Sequence, residues 1–418
     1  VTAPTSRPRQ AADACPGVGR PFVAADGSIV RLRPAGRPVP VEALARLLDL
    51  VESQPDPAIQ LTSRAALQLR GLPDPLSCSV RESIESTGLV PSLSHELVRN
   101  VVASPLSGLD DAGHCDVRHV TRALDAALCA DPDLARLGGR FLFALDDGRG
   151  DVIRETFDLG VLATGRGRCV VLAGGTHRGW DVPLEAAVPT LLALAREFVE
   201  RTRGGETAWH VHELDAPLGP APTTGVDLPA RPARPLGAVG DHAVVAVPLG
   251  LLRREHVGAL GRVTDEVRVT PWRSLVVEHG AAALADLEEA GLATHPESAW
   301  HRLHACTGLP GCARSALDTR ALARRLAPVL PAGRLPVHVS GCERRCGTPS
   351  TAYVDILAPV SPGSALRQVR DEDAPSRRDA AEACESDHSR IDAEPRRRVV
   401  DSVRNESDQS TGDEEETS

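Results

Sequence analysis

The sequence predicts an internally duplicated α+β protein, each copy a small half-domain of strands around one helix followed by an α/β lobe. Three observations predict it. The 418 residues exceed what one hydrophobic core ordinarily organises. A Pro-rich stretch, Ala216 to Pro235, divides the chain near its middle and reads as an extended linker. On either side of it the same succession of turn, strand, helix and β-rich run is found, as two copies of one plan require.

In the first copy Asp26-Gly27 turns the chain into a strand from Ser28 to Leu32. Leu44, Leu47, Leu48 and Val51 then recur at the spacing of an amphipathic helix, and Ile59 to Leu69 reads as a strand. In the second copy Gly240-Asp241 leads into the strand Ala243 to Val247, Val257, Leu260 and Val263 mark a weaker helical face, and Val267 to Val277 is again β-rich. Within these last runs Thr62-Ser-Arg64 stands against Thr270-Pro-Trp-Arg273, one residue out of register. The lobes match too. Asp116 and Asp318 each precede a helical pattern as capping residues. Gly139-Arg140 and Gly333-Arg334 each lead into a strand, Phe141 to Leu145 and Leu335 to Val339.

The expected boundaries are a flexible N-terminus at 1–14, half-domains at 15–85 and 236–290, lobes at 86–215 and 291–360, the linker at 216–235 between the copies, and a tail at 361–418. That tail holds 9 Arg against 16 Asp and Glu and few large apolar residues, so disorder is expected of it.

A net charge of -10 without a basic stripe argues against nucleic acid as a partner, and four Trp, one Tyr and five Phe leave few platforms on which bases could stack. No apolar run approaches the length of a membrane span, and the N-terminal residues hold no apolar stretch of the signal-peptide kind, so a cytoplasmic protein is expected. Thiols, metal ligands or catalytic groups rather than disulfides are then the expectation for the ten Cys. All 47 basic residues are Arg, which weakens any single Arg as a sign of anion recognition.

Four cysteines are grouped. Cys306-Thr-Gly-Leu-Pro-Gly-Cys312 is followed, after 29 intervening residues, by Cys342-Glu-Arg-Arg-Cys346. Only the second copy carries them; where it turns through Gly341-Cys342, the first turns through Asp146-Asp147-Gly148. Four thiolates on two loops, with Gly308, Gly311, Gly341 and Gly347 bringing backbone N–H groups close, suit a 4Fe-4S cluster. Structural zinc takes the same ligands but favours two to four residues between paired Cys. No phosphate loop or dinucleotide fingerprint is present, so reducing equivalents are expected from another protein.

The cysteine spacing resembles the cluster signature of the nitrite and sulfite reductase family. Leu61-Thr-Ser-Arg-Ala-Ala-Leu-Gln-Leu-Arg-Gly71 resembles that family's strand motif, Arg99-Asn-Val-Val-Ala103 resembles its lobe entry, and the duplication covers nearly all of residues 15 to 360. The resemblance implies ferredoxin-like half-domains, a 4Fe-4S cluster on Cys306, Cys312, Cys342 and Cys346, and a tetrapyrrole between the copies. Its carboxylates need fixed cations, for which Arg31, Arg33, Arg64, Arg70, Arg140 and Arg273 qualify because they stand at or beside matched strand motifs.

Cys15-Pro-Gly, Arg20-Pro21, Val30-Arg-Leu-Arg33, Ser104-Pro-Leu-Ser-Gly-Leu-Asp110 and Phe143-Ala-Leu-Asp-Asp-Gly148 resemble the precorrin-3B-forming branch of the family. That implies a monooxygenase of cobalamin biosynthesis, which hydroxylates precorrin-3A at C20 with O2 and closes a γ-lactone. Its external electron donor would be reduced ferredoxin or an NAD(P)H-dependent reductase. A mononuclear non-haem iron is implied as well. Asp110, Asp111, His114, Asp116 and His119 offer it two His and carboxylates, although a surface turn ahead of a helix accounts for them without metal. The alternative within the family is a nitrite or sulfite reductase with sirohaem. Against it, the family's lobe strand carries Arg-Lys-Phe-Lys where this chain has Gly139-Arg140-Phe141-Leu142, so an anion cage would lose a cation at Leu142. A non-enzymatic structural protein, with zinc or an iron-sulfur cluster on the four grouped cysteines, is the third reading.

Overall fold

Each half-domain is built on strands whose alternate residues are apolar, folded over one amphipathic helix. The computed structural model describes residues 15–204, 208–230, 232–331, 333, 335–349 and 351–372; the expectations for 1–14 and for 373–418 lie outside these residues. The first half-domain holds β1 (Phe22–Ala24), β2 (Gly27–Leu32), β3 (Val39–Pro40), α1 (Val41–Asp49), β4 (Ile59–Leu61), β5 (Leu67–Leu72) and α2 (Cys78–Glu85). Its lobe adds β6 (Val101–Ala103), α3 (Arg118–Ala130), β7 (Phe143–Asp146), β8 (Leu159–Gly165), β9 (Arg168–Ala173), β10 (Arg178–Pro183), α4 (Ala187–Arg203) and β11 (Thr224–Gly225).

The second copy repeats the plan with β12 (Gly237–Val239), β13 (His242–Ala246), β14 (Leu251–Leu252), α5 (Arg254–Leu260), β15 (Glu266–Val269), β16 (Ser274–Val277) and α6 (Leu284–Glu289). Its lobe holds α7 (Ala299–Arg302), β17 (Leu303–Ala305), α8 (Thr319–Leu326), β18 (Val337–Ser340), β19 (Val354–Leu357) and α9 (Pro362–Glu372).

The half-domain sheets run β1-β2-β5-β4-β14 and β12-β13-β16-β15-β3. Each copy therefore lends one strand to the other's sheet: β14 pairs with β4, and β3 with β15. Leu44, Leu47 and Leu48 of α1 and Val257 and Leu260 of α5 are buried in one core with the inner faces of both sheets. The boundaries near 85 and 236 thus mark copies of a pattern rather than separate cores.

Ile59 to Leu69, expected as a single strand, and the β-rich run Val267 to Val277 are each a hairpin with a tight turn in the middle. Thr62 Oγ1 accepts from the Ala66 N–H at 3.1 Å and Thr270 Oγ1 from the Ser274 N–H at 3.2 Å. The fourth residue of each turn lies in the left-handed region, Ala65 at φ 51° and Arg273 at φ 60°. The two Thr are structural equivalents, which places Arg64 opposite Trp272 and Arg273 opposite Ala65.

Both lobes are three parallel strands with a crossover helix, β6-β7-β8 with α3 and β17-β18-β19 with α8; the first is extended by the antiparallel β9, β10 and β11. Helix α4, which follows β10, packs on β8 and α3 as α9 packs on β19 and α8. Asp318 caps α8, accepting from the Ala321 N–H at 2.9 Å. Asp116 does not cap α3: it precedes the cap position, held by Val117, and takes the Arg118 N–H at 2.8 Å.

Two further expectations need correction. The stretch 216–235 is not a bare linker, since β11 joins the first lobe's sheet, Leu218 is buried, and Val226 and Leu228 pack on the sheet's outer face. Nor do residues 361–372 belong to a disordered tail, because α9 spans Pro362–Glu372 and buries Ala365 and Val369, one turn apart, against the second lobe's core. No helix among the described residues is long and apolar enough to cross a membrane.

Candidate functional site

The site forms where the second lobe's strands end beside the two hairpin turns. Cys306 directly follows β17, and its N–H continues the sheet by donating to the Val339 carbonyl at 3.0 Å. Its Sγ accepts the Gly341 N–H at 3.3 Å. Gly308, at φ 67°, lets the loop to Cys312 pass over the start of α8; a Cβ there would lie 2.6 Å from the Thr319 nitrogen. Beyond β18, Gly341 opens the turn that carries Cys342 and Cys346. Arg345 ties that turn to β19 through Asp355 at 2.6 Å.

All four cysteines line one cleft of about 700 Å³. Four cysteines in the wall of one cavity, with a backbone N–H already directed at one sulfur, are the donor set a cubane cluster takes. A second chamber of about 230 Å³, lined by Arg64, Leu142, Trp272 and His304 among others, shares Ser63, Arg273 and Gly347 with the cleft.

Of the six arginines singled out from sequence, Arg31 and Arg70 line the cleft, Arg64 the small chamber, and Arg273 both. Arg70 is bidentate to Asp26 at 2.9 and 3.0 Å and donates to the Gly311 carbonyl at 2.8 Å, so it braces the first cysteine loop. Arg33 and Arg140 face elsewhere. Arg33 is 3 % exposed and donates to the carbonyls of Pro16 and Glu96, pinning the N-terminal segment whose Val18 and Gly19 N–H groups Glu96 accepts. The Arg140 guanidinium stacks 4.5 Å over Trp209, and its carbonyl accepts from Arg64 at 3.0 Å.

Sequence reasoning missed Arg234 of the small chamber and Arg314, Arg320 and Arg344 of the cleft. A signal existed for two of them, since Arg314 and Arg344 each stand two residues after a cluster cysteine. Arg320 shares Asp56 with Arg253 and Arg324. Burial works against the Asp56 charge, but the three guanidiniums hold its carboxyl below the ordinary value. His304 was missed as well. Its Nδ1 lies 2.8 Å from Arg273 Nη1, and burial first and Arg273 second push its pKa down to about 3. His338, opposite it on β18, is fully buried and is pushed down to about 4, again chiefly by burial.

The candidates for a second iron do not converge. Arg149 engages Asp110 at 2.7 Å, Arg118 engages Asp116 at 2.8 Å, and His114 Nδ1 faces the Ala163 carbonyl. Among the described residues, the group spaced to hold one ion is Asp241, His242 and His279. There the His279 N–H donates to His242 Nδ1 at 3.1 Å. A ligating imidazole normally donates from its second nitrogen; this one accepts, so its Nε2 carries the proton toward Asp241 and the trio reads as a hydrogen-bonded cluster.

No protein-family profile matches the chain. It is 26 % identical to a precorrin-3B synthase from Sinorhizobium sp. over 83 % of this chain and 81 % of that protein. It is 28 % identical to a ferredoxin--nitrite reductase from Synechococcus elongatus over 76 % of this chain and 73 % of that protein. Among solved structures, the Mycobacterium tuberculosis NirA protein superposes with a TM-score of 0.56 at 19 % identity, covering 81 % of this chain and 72 % of that one. In sequence over most of its length, and in its α+β fold, the chain is similar to the nitrite and sulfite reductase family.

Proposed function

We propose that the chain is a precorrin-3B synthase, an oxidoreductase that hydroxylates precorrin-3A at C20 and closes the γ-lactone with the ring A acetate. The observation that carries this reading is the cleft: room for a macrocycle, four cysteines in its wall and arginines around it. The small chamber carries Arg64, Arg234 and Arg273, but Leu142 stands in it where the reductases' lobe strand has Lys, and the loss of that cation favours a monooxygenase over a reductase. Cys306, Cys312, Cys342 and Cys346 would hold a 4Fe-4S cluster, which supplies single electrons drawn from an external donor such as reduced ferredoxin or an NAD(P)H-dependent reductase. The balance is one macrocycle, one O2, two electrons and two protons giving hydroxylated product and one water. Arg31, Arg64 and Arg273 orient the substrate's carboxylates, Arg70 braces the first cysteine loop, and the ring edge is left toward the cysteine loops.

Protein purified without air is expected to be brown, to bleach with dithionite, to lack sirohaem bands, and to convert precorrin-3A in the presence of O2 to a product heavier by one oxygen. Sirohaem bands with dye-linked nitrite or sulfite reduction would transfer the assignment to the reductases, and stoichiometric zinc without iron would make the site structural. Cys312→Ser or Cys346→Ser is expected to lose iron, sulfide and product together, because a hydroxyl is a poor substitute for a thiolate. Cys78→Ser and Cys129→Ser serve as controls that keep all three.

A further inference from the structure

Arg273 differs from Arg70 and Arg320, two other arginines of the cleft. Arg70 has Asp26 and Arg320 has Asp56, whereas Arg273 directs its described hydrogen bonds to a neutral ring nitrogen, His304 Nδ1 at 2.8 Å, and to the Gly347 carbonyl at 3.3 Å. The charged group acting on it is another cation, Arg234, and burial together with that neighbour lowers its pKa. A half-buried guanidinium without a carboxylate is costly until an anion joins it. Its place fits that need, because it stands at the neck where the two chambers meet.

The surroundings hold Arg273 there. Its backbone occupies the left-handed region that side chains other than glycine rarely adopt. Its stem crosses Gly250, where a Cβ would lie 2.8 Å from Arg273 Cδ and 3.2 Å from Cγ. His304 is set by the parallel register of β17 against β18, and a guanidinium has only donors, so Nδ1 must be the acceptor. Resting on the reading of this cleft as the tetrapyrrole site, we propose that Arg273 anchors one carboxylate of the substrate at the neck between the chambers, and that His304 and Gly250 are positioning residues that aim it.

The test is equilibrium binding of uroporphyrin III, a tetrapyrrole octacarboxylate, to the full chain, followed by porphyrin fluorescence, with circular dichroism confirming the fold of each variant. Arg273→Gln and His304→Leu are each expected to weaken binding about tenfold. The double variant is expected to bind no more weakly than either single one. His304→Asn returns an acceptor near the Nδ1 position and is expected to stay within about threefold of wild type, whereas His304→Gln, which reaches the Nε2 position instead, is not. Gly250→Ala should resemble His304→Leu. Additive losses in the double variant, or equal effects of Asn and Gln, would overturn the positioning role, as would wild-type binding by His304→Leu. Full binding by Arg273→Gln would overturn the anchor, and a wild-type protein that does not bind uroporphyrin at all would remove the tetrapyrrole reading and the anchor with it.

Discussion

Asp151 is 4 % exposed, accepts from Ser104 Oγ at 2.6 Å, and is raised from 3.8 to about 7, by burial first and by the neighbouring Asp146 second. Between those two values the folded chain keeps a proton that the unfolded chain has released. The stability that Asp151 contributes therefore falls as pH rises from about 4 to 7 and levels off above, a loss on the order of a few kcal/mol. Asp151→Asn removes the proton from the equilibrium. Buried neutral His304 and His338 act in the opposite sense over the same range, so the test is the difference between wild type and Asp151→Asn. In urea titrations at pH 5 and pH 8 the stability of wild type relative to the Asn variant is expected to fall at the higher pH, and an unchanged difference would contradict the burial argument. At this scale the sequence was read unevenly. The cysteines were legible because their spacing is chemical. Arg33 and Arg140 were not, since a residue beside a motif can as easily brace a neighbouring segment or stack on a Trp. His304 matters only through Arg273, a contact between residues 31 positions apart.

The two lobes solve the same problem differently at the ends of their strands. In the second lobe the loops after β17 and β18 carry the cysteines. In the first, the loops after β6 and β7 are joined by Arg149, which bonds Asp110 at 2.7 Å and Asp147 at 2.8 Å, and by Ser104 with Asp151. Duplication also explains what composition hid. Helix α9 occupies the place of α4, so its existence was legible from the repeat, yet the acidic residues beyond it made the whole segment read as tail. The hairpins were missed because their turns place Ala65 and Arg273 where Gly or Asn would have announced a positive φ. Truncation after Ser361 is expected to lower the thermal midpoint clearly relative to truncation after Glu372, because Ala365 and Val369 cover the second lobe's core; Val369→Asp in the full chain should do the same, at roughly 2 kcal/mol or more. Equal midpoints for the two truncations would show that the helix contributes nothing.

Across the whole of residues 15–372 the duplication is interlocked rather than tandem. β3 completes the second copy's sheet and β14 the first's, while α1 and α5 share a core that draws on both copies. Two-residue strands add little by themselves, so the shared core must supply most of the coupling: each copy alone would expose the buried faces of Leu44, Leu47, Val257 and Leu260, at about 1.5–3 kcal/mol for each side chain. Losses of that size over four side chains match the whole margin by which a domain is stable. The cleft depends on the same arrangement, for Arg31 and Arg70 come from the first copy and the cysteines and Arg273 from the second. Fragments 15–204 and 208–372 are therefore expected to be unfolded or aggregated when produced alone, and to form a soluble one-to-one complex with cooperative melting when produced together. Binding of uroporphyrin III should return only in the complex. A fragment that folded alone with a sharp melting transition would show that one copy closes its own core, and the strand exchange would then be a consequence of docking rather than its cause.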